Sequence, residues 1–358
     1  MKKNGKLLWA ISLVLLLVTA IVMVVGCGQV KTTDPAKNSA EEQKKETASP
    51  DKYKFALVKG AVHPYFDPWA QGAKDAAKDF GIPAVEVQAP QHWNQNEQNV
   101  VLDGLVAKGY KGIALMPSDP VAGNEEISKM VDNNVFVIAL AGAPAQPSKA
   151  KFTLATDVSE SAYQGAKRAI EAMGKKGNLV HLTGQLTDTN TKKRMDAVKK
   201  AVEEAPDVKL LQTITDIDVA EPAQNAVSSL LAAKKSQING IICTAYIPSV
   251  TVATQLRQLN EKNIKAVGID TDKIVIDAIK DGFMLGTMSQ NPYGQAYIGL
   301  YSFKLLADGY KWKSDAPAII DSGSFFINKD NSANYEQGIT EMTKKLMGEW
   351  KDKYFSAP

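Results

Sequence analysis

From residue 53 onward the chain alternates short apolar runs with amphipathic segments of helical period, and this alternation restricts the fold more than any other feature. Runs at 54–58 (KFALV), 85–87 (VEV), 112–116 (GIALM) and 135–140 (VFVIAL) are strand-length. Helical segments separate them, beginning at Asp67-Pro68 and recurring at 97–108 and 121–133. Asp67 is the expected N-cap of the first, with Pro68 in its first turn and Gly81 just past its end. A βαβα order with nearly continuous apolar strands predicts a parallel sheet covered by helices on both faces.

The rhythm restarts after Thr156. Helices at 161–173, 191–205, 222–233 and 250–260 alternate with strands at 178–182 (NLVHL), 209–214, 240–244 (GIICT) and 265–269. An amphipathic segment at 333–354 closes the chain. Two such units predict an α/β fold of two doubly wound parallel-sheet lobes with a cleft between them. Ligands of such sheets bind beyond the carboxyl ends of the strands, so the loops there should line the cleft.

Ahead of this body, Lys2, Lys3 and Lys6 precede an apolar run at 7–25 broken only by Ser12 and Thr19. A run of about 19 residues can span a bilayer, so length alone leaves a cleaved signal peptide and a permanent anchor both open. The run ends in Val24-Val25-Gly26-Cys27, which resembles a bacterial lipobox. There a small residue admits the peptidase and the new N-terminal cysteine accepts a diacylglycerol. The expected parts are a signal peptide at 1–26, lipidation at Cys27 and a disordered tether at 27–52. Residues 31–51 contain no large apolar side chain. The protein is thus expected on the outer face of the cell membrane, lipid-anchored.

The same three lysines account for the net charge of +3; without them the 42 basic residues fall to match the 39 acidic ones. A neutral body has no electrostatic footprint for nucleic acid. Only two cysteines occur, Cys27 and Cys243, which excludes a disulfide framework. Cys243 lies inside GIICT, where a thiol is packing rather than a nucleophile. His63, His92 and His181 form no HExxH, and no GxSxG elbow, Walker A loop or GxGxxG follows a strand. Asp216-Ile217-Asp218 lacks the further oxygen ligands of a calcium loop and reads as cleft rim. No enzyme activity, metal or cofactor is expected.

The order and spacing of HPYFDPWAQGA (63–73), IALMPSDP (113–120), ATD (155–157), AVGID (266–270) and GTMSQNP (286–292) resemble the type I periplasmic solute-binding proteins, in their ribose-binding-like branch. The resemblance implies two lobes joined by three hinge segments, near Thr156-Asp157, Gln290-Asn291 and Asp321-Ser322. It assigns 53–155 plus 291–320 to the N-terminal lobe. The C-terminal lobe is 156–290 plus 321–358, with the terminal helix added to it.

The resemblance also implies a site, residue by residue. Tyr65 and Phe66 match aromatics that stack on a sugar ring, and Trp69 follows them; core packing is the alternative for each. Arg194 matches an arginine at the start of a second-lobe helix, whose planar fork donates to several oxygens. Asp270 matches a carboxylate ending the AVGID strand, and Gln290 an amide at a crossing. Three departures stand against ribose itself: Leu140-Ala141-Gly142 replaces an Asp-Arg pair, Thr244-Ala245-Tyr246 an Asn-Asp pair, and His63 an asparagine. Hydroxyls would be buried there without partners. Replacement contacts are expected from His63, His92, Trp93, Asn94, Asp188, Asn190 or Tyr246.

The resemblance therefore implies a receptor of an ABC importer that binds a monosaccharide, polyol or similar hydroxylated solute and delivers it, as a monomer, to a membrane permease. A sugar sensor serving a histidine kinase or chemoreceptor would need the same cleft. A transcription regulator of this fold would need an N-terminal helix-turn-helix where the signal peptide stands.

Overall fold

The computed structural model describes residues 50–358. The expected signal peptide, Cys27 and all but the end of the expected tether lie outside the described residues. That end is ordered, contrary to expectation: Pro50–Tyr53 form a 3₁₀ turn, and Lys52 and Tyr53 both bond Asp308, at 3.1 and 2.6 Å.

The chain first runs β1 (Phe55–Val58), α1 (Asp67–Phe80), β2 (Glu86–Gln88), α2 (Gln95–Ala107), β3 (Gly112–Leu115), α3 (Pro120–Asp132), β4 (Phe136–Leu140) and β5 (Thr153–Ala155). It continues through α4 (Val158–Ala172), β6 (Gly177–Leu182), α5 (Thr189–Glu203), β7 (Val208–Ile214), α6 (Ala220–Lys234), β8 (Gly240–Cys243), α7 (Tyr246–Gln258), β9 (Lys265–Ile269), α8 (Lys273–Lys280) and β10 (Gly286–Met288). It ends with α9 (Pro292–Ala307), β11 (Lys311–Trp312), β12 (Ile319–Asp321), β13 (Phe326–Asn328), α10 (Tyr335–Tyr354) and β14 (Phe355–Ser356).

One sheet has the order β12-β5-β4-β3-β1-β2 and is parallel throughout. The other has the order β13-β10-β9-β8-β6-β7, with β13 alone antiparallel. The strand period of two explains the double covering. Phe55 and Leu57 join the core beneath α1 and α9, while Ala56 and Val58 join the one beneath α2 and α3. In the second lobe, Leu179 and Ile242 face α4 and α5, whereas Val180 and Ile241 face α6 and α7. Buried Cys243 belongs to this packing, its thiol pushed up by burial.

The chain passes between the sheets three times: from β5 to α4, from β10 to α9 and from β12 to β13. A buried network ties these passages together. Gln295 Nε2 donates to Ser322 Oγ at 3.0 Å, Ser322 Oγ lies 3.3 Å from Thr156 Oγ1, and Asn291 Nδ2 donates to Ser322 O at 2.9 Å.

Two local expectations are corrected. The turn Pro64–Phe66 runs directly into α1, so Asp67 is the first helical residue rather than its cap, while Gly81 does end the helix at φ +63°. The terminal helix does not belong to the second lobe alone. Its first turn, at Tyr335, packs on the second-lobe core, and Thr343 Oγ1 donates to Asn291 Oδ1 at the hinge at 3.1 Å. Its end lies in the first-lobe core, where Trp350 is fully buried and donates to Ser302 Oγ at 2.8 Å. The β11–β14 pair fastens the chain end there. Apolar Trp350, Tyr354 and Phe355 find in the first lobe the aromatic partners Phe152 and Trp312.

Candidate functional site

Loops from the carboxyl ends of both sheets converge on a small concave cavity lined by both lobes. The first lobe supplies His63, Tyr65 and Phe66 after β1, Trp93 after β2, Met116 after β3 and Ala141 after β4. The second supplies Asp188, Asn190 and Arg194 around the start of α5 and Asp218 after β7. It also supplies Ala245 and Tyr246 after β8, Asp270 after β9 and Gln290 after β10. The lobes touch across it, since Asn190 Nδ2 donates to Ala141 O at 3.3 Å and the His63 and Tyr246 rings lie 5.6 Å apart.

Amide side chains fix the first-lobe loops. Gln98 Nε2 donates to Lys59 O and Met116 O at 2.9 and 2.8 Å, and Ser118 Oγ donates to Gly60 O at 2.6 Å. The Trp93 ring lies on Gly60, where a Cβ would come 2.2 Å from it, so only glycine admits this seat. Phe66 stands at the middle of the aromatic wall, 5.9 Å from Trp93 and 6.4 Å from His63.

In the second lobe, Asp270 leaves β9 with φ +70°, a left-handed conformation that aspartate tolerates better than most residues. Its backbone is pinned by bonds to Met288 O and from Thr287 Oγ1, both 2.8 Å, and its Oδ1 accepts from Gln290 Nε2 at 2.8 Å. Burial raises its pKa to about 6, offset in part by the Gln290 bond and by Arg194. Burial likewise raises Asp188, which caps α5 by accepting from Asn190 N–H at 2.9 Å. Behind them His181, pushed down to about 3 by burial and then by Arg194, is neutral and bonds Thr244 Oγ1 at 2.7 Å.

Arg194 is buried, with 9% of its surface exposed, and no carboxylate lies within 4 Å of its guanidinium among the described residues. Its Nε has no hydrogen-bond partner. His63 shows a related feature. Its Nδ1 accepts from Tyr65 N–H at 3.2 Å, which leaves the proton to Nε2, and Nε2 is buried, unbonded and 3.5 Å from Asp218 Oδ2. Donors buried without acceptors cost stability unless something fills the space before them.

Of the expected residues, His63, Tyr65, Phe66, Trp93, Arg194, Tyr246, Asp270 and Gln290 come together around this cavity. Trp69 does not. It is fully buried on α1 in the first-lobe core, edge-on to Phe66 at 5.0 Å, because three residues of helix turn it inward. His92 and Asn94 are also outside: His92 pairs with Glu97 in solvent, and Asn94 caps α2. Asp218, read as rim, is a wall residue, and its other oxygen accepts from Ile247 N–H at 2.8 Å. Its place in the register, just past β7, is the signal that could have found it.

Two doubly wound lobes, crossed three times by the chain and enclosing a polar and aromatic cavity, define a type I periplasmic binding protein. Residues 55–311 match the family model described as periplasmic binding protein domain, and the chain belongs to that family. A xylitol-binding protein of Mycolicibacterium smegmatis is 24% identical over 262 residues, 72% of this chain and 74% of that protein. A D-apiose import binding protein of Actinobacillus succinogenes is 26% identical over 226 residues, 62% of this chain and 70% of that one. Among solved structures, a periplasmic solute binding protein of Actinobacillus succinogenes with bound D-allose superposes with a TM-score of 0.72 at 24% identity. That match covers 78% of this chain and 99% of the other. These relatives are binding proteins, not enzymes. No described helix is long and apolar enough to cross a membrane.

Proposed function

We propose that this protein captures a small hydroxylated solute, a monosaccharide or polyol, between its lobes and delivers it to a membrane permease of an ABC importer. The observation that carries the reading is the Arg194 guanidinium, buried at the cavity with its Nε unbonded and no carboxylate within 4 Å among the described residues. Five donors in a planar fork suit several solute oxygens at once. In this reading Arg194, Asp270, Gln290 and His63 bond the solute, while Tyr65, Phe66, Trp93 and Tyr246 cover its C–H faces. The lobes pivot at residues 156–157, 290–291 and 321–322, and lipidated Cys27 keeps the monomeric receptor beside its transporter. Relatives named for xylitol, D-apiose and D-allose support the solute class. The missing Asp-Arg pair at Leu140-Ala141 turns the choice away from ribose.

A thermal-shift screen of pentoses, hexoses and alditols tests this. At least one should raise the midpoint, and Arg194→Ala should abolish its effect while the variant stays folded. A flat response to every member would defeat the reading.

A further inference from the structure

The charges of the cavity all come from one lobe. Asp188, Asp218, Asp270 and Arg194 belong to the second, while the first presents rings and apolar groups. Three carboxylates facing one guanidinium leave the wall with an excess of two negative charges. No lysine or arginine nitrogen lies within 4 Å of any of the three among the described residues; their nearest basic neighbour is His63 Nε2, 3.5 Å from Asp218. A sugar hydroxyl can donate to such oxygens but brings no compensating charge.

We propose that the solute carries a protonated amine beside its hydroxyls, an amino sugar or amino polyol. Its ammonium lies between the aromatic wall and the pair Asp218 and Asp270. This rests on the reading of the cavity as a hydroxylated-solute site and narrows its class. Aromatic faces attract cations through their quadrupole, and the rings of Phe66, Trp93 and Tyr246 line the same cavity as those carboxylates, grouped around His63 with centroids 5.6 to 6.4 Å apart. Burial is the main cause that raises the proton affinity of Asp270, and the neighbouring Asp218 charge adds to it, a repulsion that a bound cation relieves. Arg194 does not fill this role, since no carboxylate oxygen lies within 4 Å of its guanidinium among the described residues.

Calorimetry on the mature chain at neutral pH separates the possibilities with matched triplets: a hexosamine or 1-amino-1-deoxyalditol, its N-acetyl derivative, and the neutral parent. The amine should bind roughly tenfold or more tighter than both companions, about 1.4 kcal/mol. Asp218→Asn, whose amide oxygen can still accept from Ile247 N–H, should erase that preference. Neutral parents that bind as tightly as amines overturn the cation while leaving the hydroxylated-solute reading intact. Binding by no member defeats both, and a preference that survives Asp218→Asn removes the ammonium from the place given to it here.

Discussion

Asp270 joins the strand, the hinge and the cavity in one side chain, and its protonation should govern affinity. The groups facing it are Gln290, Arg194, Asp218 and His63, and the largest influence is loss of water on burial. Its carboxyl therefore binds a proton more tightly in the folded chain, at about 6, than at its ordinary 3.8. As an acceptor for solute it must be ionised, so affinity should be full near neutrality and fall as pH drops through about 6, by up to tenfold per pH unit. For folding the sign is opposite. The native state holds the extra proton, so the ligand-free protein loses stability from this group as pH rises from about 4 to 6. Titration calorimetry from pH 5 to 8, beside melting curves without ligand, checks both signs. An affinity that is flat across this range would show that solute does not depend on the Asp270 carboxylate.

At the scale of elements, the loop after β2 depends on a glycine in the loop after β1. Trp93 has more than a third of its surface exposed, yet its ring sits where a Gly60 side chain would be. Gly60→Ala should displace the ring, weaken solute binding roughly tenfold and leave the melting midpoint within a few degrees, since Trp93 contributes little core. Unchanged affinity would remove Trp93 from the solute contacts. The elements themselves were largely legible. Buried strands such as GIALM and GIICT are short apolar runs, and the helices between them carry one apolar stripe. What stayed hidden has physical causes. Helix α9 is apolar on nearly every side, with Ala296, Leu300 and Phe303 among its buried residues, so it has no stripe to read. Strands β5 and β12 hold three residues each, too few for a period. Within the site, Arg194, Asp270 and Gln290 were picked out by the family resemblance, since their residue types and positions alone do not distinguish them from other polar groups at loop and helix starts. Trp69 misled because its position among aromatics says nothing about which way the helix turns it.

For the whole molecule, the lobes are linked by more than the three crossings. Helix α10 has 20 residues, about 30 Å of rigid rod at 1.5 Å per residue, anchored on the second lobe at Tyr335 and on the first at Trp350. Opening the cleft must bend this rod, tear one anchor or turn about Thr343, whose bond to Asn291 sits at the hinge. The weaker anchor is the second-lobe one, where Tyr335 is half-buried, whereas Trp350 is enclosed. Tyr335→Ala should therefore free that end without disturbing the first-lobe core, and the ligand-free molecule should sample wider openings. If the lost packing is worth about 1.4 kcal/mol to the closed form, the closed-to-open ratio falls tenfold and apparent solute affinity falls with it. Probes on Val100→Cys and Leu259→Cys, exposed residues on opposite lobes, report the separation, and buried Cys243 stays unlabelled. A broader distance distribution without solute, collapsing to the wild-type closed value when solute is added, is expected. Identical distributions with and without the tyrosine would mean that α10 rides with the first lobe and sets no limit on opening.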